Sequence, residues 1–196
     1  MKKVEIVSRR FLLDDLFKVE EVFLRFEKFD GTMSGTVRRL NLERGNAVAM
    51  LVYNLDTQKL LLINQFRYPT YQNGPGWIIE TIAGVIDSGE SPEEAVRREA
   101  YEETGLDVKN VEFIASFYPS PGGCSEQIFL YYVGISGDGA RYEKIGGLAS
   151  ENESILTLEL SLEEALGKIR NGEIRDAKTI LGIYWLENRL LKNEQL

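Results

Sequence analysis

From Gly84 to Leu106 the chain reads GVIDSGESPEEAVRREAYEETGL, and few local structures satisfy that stretch. Ser91 fits an N-cap, Pro92 the first turn, Glu94 the return half of a capping box and Gly105 the stop, which predicts a helix over 91–104. The preceding WIIETIAG predicts a strand ending at Gly84. At about 100° per residue Val96 and Ala100 mark the inward stripe of the helix, and Glu99 and Glu103 fall within about 60° of it. Acids one turn apart destabilise a helix by roughly 0.2–0.5 kcal/mol per pair. The i,i+4 pairs Glu93–Arg97, Glu94–Arg98 and Arg98–Glu102 describe a solvated outer face, but Glu99 and Glu103 have no such partner. Carboxylates at the edge of a buried face need compensation. Either these two belong to an ordinary charged face, or a divalent cation supplies the missing charge. Oxygen ligands without histidine or cysteine select Mg²⁺ or Mn²⁺.

Other chemistries are excluded by what the chain lacks. Its 196 residues, 43% hydrophobic and 28% charged, allow one core plus a small appendage. There is no histidine, which removes Ser–His–Asp and Cys–His machinery and histidine-ligated zinc. Acid–base and metal work then falls to carboxylates, with lysine or tyrosine. The net charge of −8 argues against nucleic acid as a partner. No apolar run approaches the ~20 residues of a membrane span, so no membrane partner is expected, and MKKVEIVSRR lacks the apolar segment of a signal peptide. The single cysteine, Cys124, excludes an intrachain disulfide and points to a reducing cytoplasm.

Residues 3–9, 16–29 and 33–44 read as strands, with Asp30-Gly31 as a hairpin turn. In the second, Val22, Leu24 and Phe26 point one way and Phe17, Val19 and Phe23 the other. A strand apolar on both faces is either central to a thick core or covered by a partner chain. Three strands shield two faces poorly. Residues 1–45 are therefore expected to form a β unit serving dimerisation, the alternative being simple packing on the main domain. Residues 46–196 follow with strands at AVAMLVYN and KLLLINQF, WIIETIAG, the helix over 91–104, and strands at 110–118 and 126–135. A loop over 136–153, a strand at 154–160 and helices at 162–171 and 175–191 complete an α/β (α+β) pattern without regular βαβ alternation.

By position, Gly84, five residues, Glu90, seven residues, Arg98-Glu99-Ala100, one residue, Glu102-Glu103, one residue and Gly105-Leu106 resemble the complete Nudix box, G-x5-E-x7-R-E-U-x-E-E-x-G-U. The likeness implies the Nudix α/β/α sandwich with a mixed sheet. It implies hydrolysis, with Mg²⁺ or Mn²⁺, of a nucleoside diphosphate linked to another moiety. It makes Glu99 and Glu103 the main metal ligands, the carbonyl of Ala83 another, Glu102 a nearby or water-mediated one, and Arg98 the residue that orients Glu90. The segments MSGTVRRLNLERG, LLINQFRYP, SFYPSPGGCSEQ, LASENESI and GEIRDAKTILGIYWLE resemble the ADP-ribose pyrophosphatase and nucleoside-diphosphate-sugar hydrolase branch. That branch implies a homodimer with crossing N-terminal strands.

A pyrophosphate brings about two negative charges to an acidic protein, so Arg38, Arg39, Arg44 and Arg67 are candidate partners. For Arg38 an ordinary strand-surface role fits equally, whereas Arg39, Arg44 and Arg67 match substrate-contacting positions of the family. Phe17, beside Leu16, matches a base-holding position, although it fits a core equally. Ser120, Pro121, Gly122 and Glu126 align with a substrate-binding loop, whose glycines let backbone come close. Cys124 has no histidine to activate it and reads as a small buried filler. In GGLASENESI the resemblance makes Glu151 the general base and Glu153 a metal ligand. The two roles are exchangeable, Glu126 is a third candidate base, and the flanking glycines permit loop closure. The substrate implied is ADP-ribose, yielding AMP and ribose 5-phosphate, with GDP-mannose or another nucleotide sugar as the alternative. A sensor that binds without cleaving is disfavoured by the intact box glutamates.

Overall fold

A carboxylate, not an apolar side chain, is the best-buried residue of the N-terminal sheet. In the computed structural model, which describes residues 2–147 and 152–193, the chain forms two compact units, residues 1–46 with 118–127 and residues 47–117 with 128–196. The first contains an antiparallel sheet of β1 (Val4–Asp14), β2 (Lys18–Phe26) and β3 (Val37–Glu43), with β2 in the middle. Glu21 of β2 is 4% exposed and held by Arg10 and Arg38 at 2.7 and 2.6 Å. The neighbouring Val19, Val22, Phe23 and Leu24 are only half-buried. The turn at Asp30-Gly31 forms as expected, with Gly31 at φ 82° and the Thr32 N–H donating to the Asp30 carboxylate at 2.9 Å. The segment 118–127 is hydrogen-bonded to β3. Leu42 donates to the Gly123 carbonyl at 2.8 Å and accepts from the Ser125 N–H at 3.2 Å.

In the second unit β4 (Ala47–Asn54) is buried at every residue, as an apolar run without alternation requires. It pairs in parallel with β9 (Ile128–Ile135), and β9 pairs antiparallel with β8 (Glu112–Phe117). On its other side lie β5 (Lys59–Phe66), β11 (Ile155–Ser161) and β10 (Ile145–Gly146). Val48, Met50 and Val52 pack with Ala95, Val96 and Ala100 of helix α2 (Pro92–Thr104). Leu51 and Tyr53 pack with Ala165 of α3 (Leu162–Arg170) and with Ile183 and Leu186 of α4 (Ala177–Asn193). Helices thus cover both faces of a mixed sheet, the expected α/β/α arrangement.

The expected single strand WIIETIAG is two, β6 (Trp77–Glu80) and β7 (Ile82–Val85). Strands β4 and β5 pair only near their turn, from Val52↔Leu61 to Asn54↔Lys59. Beyond that β6 pairs with β5 and β7 with β4, so the chain must change partners at Thr81. The loop expected over 136–153 contains a 3-10 helix (Gly137–Ala140) and strand β10, and a one-turn helix α1 (Tyr68–Tyr71) follows β5.

Candidate active site

Local chemistry builds α2 as its sequence implies. The Ser91 hydroxyl accepts from the Glu94 N–H, the Glu94 carboxylate accepts from the Ser91 N–H at 2.8 Å, and Gly105 closes the helix at φ 74°. Capping occupies Glu94, so the expected Glu94–Arg98 pair does not form, whereas Glu93–Arg97 and Arg98–Glu102 do. Arg98 clasps Glu90 with two nitrogens at 3.0 Å and donates to the Val85 carbonyl at 2.9 Å. Its Nη1 reaches Glu102 at 3.0 Å and also Glu99 at 2.7 Å. The expectation that Glu99 has no arginine partner is therefore corrected; the long guanidinium stem bridges adjacent residues that helical spacing separates.

Glu103 fulfils that expectation alone. It is 4% exposed, and its Oε2 is buried without a hydrogen-bond partner. Burial pushes its carboxyl well above the usual range, Glu99 and Glu80 add to the rise, and Arg67 opposes it. Burial raises Glu99 as well, against the pull of Arg98. The Glu99 carboxylate rests against Gly84 of β7, where any Cβ would land on it. Ala83, beside it, stands opposite Ala49 of β4.

The flanking glycines of GGLASENESI sit at close approaches. A Cβ at Gly146 would strike the Glu103 carbonyl, and one at Gly147 (φ 102°) would come within 2.8 Å of the Glu153 Cβ. Glu153 is half-buried, and its charge acts on Glu99, Glu103 and Arg67. Glu151, the expected base, lies outside the described residues.

Arg67 donates from Nε to Glu80 at 2.7 Å. The second oxygen of Glu80 faces the Lys178 ammonium at 3.3 Å, and Lys178 also meets Asp176 at 2.7 Å. Burial lowers the pKa of Lys178, but Glu80 and Asp176 together outweigh it and leave it raised. Glu80, Lys178 and Asp176 were absent from the sequence expectations. The available signal was a lone acid in an apolar run, WIIETIAG, which at 2% exposure needs counter-charge.

In the first unit the structure gathers three expected residues from separate segments. The Arg44 guanidinium lies 5.7 Å from the Phe17 ring centroid and 3.6 Å from the Glu126 carboxylate. Phe17, 45% exposed, is not a core residue. Arg38 is committed to Glu21, and the exposed Arg39 donates to the Arg38 carbonyl. Ser120, Pro121 and Gly122 form an exposed turn in which the Ser120 carbonyl accepts from the Gly123 and Cys124 N–H groups. Nothing within 4 Å would meet a Cβ at Gly122, so the fold itself does not require glycine there. Cys124 is half-buried rather than the buried filler expected.

Among the described residues no three acids close into a formed metal cage. The donors present nevertheless suit a hard divalent cation, being oxygens alone, with an orphaned buried oxygen on Glu103 and a seat without Cβ for Glu99.

The NUDIX domain model matches residues 43–181 of this chain. An ADP-ribose pyrophosphatase of Escherichia coli is 37% identical over 194 residues, covering 97% of this chain and 92% of the relative. A GDP-mannose pyrophosphatase of Cronobacter sakazakii is 38% identical over 188 residues, covering 95% and 96%. The crystal structure of an ADP compounds hydrolase superposes with a TM-score of 0.69 over 99% of this chain and 97% of that one; at 19% identity it speaks to the fold alone.

Proposed function

This chain belongs to the Nudix family, as a hydrolase acting on pyrophosphate bonds, and we propose that its substrate is a nucleoside diphosphate sugar, ADP-ribose first, cleaved to AMP and ribose 5-phosphate. Glu103 supports this most directly: a buried carboxylate with an orphaned oxygen, one turn from Glu99, is costly unless a cation and its phosphate ligand arrive. Glu99, Glu103 and the Ala83 carbonyl, with Glu102 and Glu153, would hold Mg²⁺ or Mn²⁺. Bound there, the ion would neutralise phosphate charge and acidify the attacking water. Arg98 holds Glu90, Glu99 and Glu102 in place, and Arg67 adds positive charge for the phosphates. Glu151 takes the proton from the attacking water, with Glu153 and Glu126 the other groups able to do so. Phe17, with Arg44 beside it, holds the base, and Arg39, Ser120, Pro121, Gly122 and Glu126 complete the substrate contacts. The enzyme works as a homodimer in the cytoplasm, as its half-buried N-terminal strand and single cysteine suggest.

GDP-mannose is a second reading, supported by relatives of that name at 38% identity. A panel of nucleotide sugars with Mg²⁺, scored by release of AMP or GMP, separates the two. Turnover of neither excludes the proposal. Glu151→Gln should lower kcat with Mn²⁺ affinity retained; if only Glu153→Gln does so, Glu153 is the base.

A further inference from the structure

Thr81 is the one residue between β6 and β7, and its backbone is held from the far end of the chain. Its N–H donates to the Thr179 hydroxyl at 2.7 Å, and its own hydroxyl donates to the Met50 carbonyl of β4. Thr179 is fully buried and its hydroxyl donates in turn to Asp176 at 2.7 Å, the same carboxylate oxygen that accepts the Thr179 N–H at 2.9 Å. The other Asp176 oxygen holds Lys178, which faces Glu80. The first turn of α4 thus grips the strand junction twice, by the Thr81 backbone and by the Glu80 side chain. Two residues beyond Thr81 lies Ala83, and the next, Gly84, seats Glu99.

We propose that Thr179 is a positioning residue for the active site: through Thr81 it fixes the β6–β7 junction and so the placement of Ala83-Gly84 against Glu99. This rests on the metal-binding reading above. The hydroxyl is the acceptor for a buried N–H at the point where the strand changes partners, and no ladder bond is available to replace it. Valine has nearly the same shape and cannot accept, whereas serine can.

Full-length Thr179→Val and Thr179→Ser proteins, shown folded by circular dichroism, are titrated with Mn²⁺ by electron paramagnetic resonance and assayed for kcat and KM. Thr179→Val should bind Mn²⁺ about tenfold more weakly, as outer-shell losses do, and lose kcat more than KM, with Thr179→Ser restoring both. Should the valine protein not fold, Thr179→Cys, whose thiol is a weak partner, is judged by the same criterion. Wild-type Mn²⁺ affinity and kcat in the folded variant overturn the inference alone. A wild type that binds no Mn²⁺ overturns the reading of the site and this inference with it.

Discussion

A Cβ added at Gly84 would fall on the carboxylate of Glu99. Glycine is needed here for space alone, since Gly84 is not among the glycines with positive φ. Gly84→Ala must therefore push Glu99 away and break its 2.7 Å contact with Arg98. Overpacking of this kind costs about 1–3 kcal/mol, less than the roughly 5–15 kcal/mol that holds a typical domain together, so the variant should fold. With Glu99 in its proposed role as a metal ligand, a displacement of about 1 Å is expected to lower kcat/KM roughly a hundredfold. Steady-state kinetics beside a thermal melt test this; wild-type kcat/KM would show that Glu99 does not need that seat.

Glu103 makes a prediction about stability whose sign depends on its burial. Its folded pKa lies well above the ordinary 4.5, chiefly from burial. Metal-free protein therefore keeps the proton on Glu103 after the unfolded chain has lost it. Stability is unaffected below about pH 4.5 and falls as pH rises from there through the folded pKa. Glu103→Gln removes that loss. In the presence of a chelator its Tm should exceed the wild-type value at pH 8, with the gap closing toward pH 4.5. With Mg²⁺ the same variant should lose more activity than the roughly 10–100-fold typical of an outer-shell change.

These two residues also mark where sequence reasoning succeeds and stops. Helix α2 was legible because its caps and its Val96–Ala100 stripe are all local. The competition for Glu94 was not: i,i+4 spacing offers it to Arg98, while the capping box claims it for Ser91. Arg98 reaching its neighbour Glu99 was hidden for a related reason, since spacing rules describe Cβ positions rather than the reach of a guanidinium. The break at Thr81 depends on β4 and β5 diverging, and the Glu80–Lys178 pair joins residues 98 apart, so neither leaves a periodic trace. The bonds of Leu42 to Gly123 and Ser125 likewise join distant parts of the chain and leave no local trace.

Phe17 and Arg44 should affect binding more than chemistry. The Arg44 guanidinium lies 5.7 Å from the Phe17 ring centroid, and Phe17 is 45% exposed. Stacking of a base on an aromatic ring contributes about 1–3 kcal/mol. Phe17→Ala should accordingly raise KM by roughly 5- to 150-fold on that scale, with kcat nearly unchanged. Glu126→Gln, which weakens the 3.6 Å tether on Arg44, should give a smaller rise of the same kind if Glu126 is not the base. A fall in kcat for Glu126→Gln with KM unchanged would instead assign it the proton transfer.

The N-terminal sheet makes the test of assembly. Val4 lies opposite Phe26 and Ile6 opposite Leu24, which puts these side chains on one face of the sheet. Val4, Ile6 and Phe26 remain 60%, 55% and 37% exposed, and Phe11, opposite Glu20 on the same face, is about as open. An apolar cluster of this kind is the surface that the proposed homodimer would bury. Light scattering should return twice the 22.3 kDa chain mass for the wild type. Ile6→Asp introduces a charge at an exposed strand position, so it should leave the chain folded and shift the mass to one chain. A wild type that runs as a monomer at micromolar concentration would instead mean that these residues serve no homodimer.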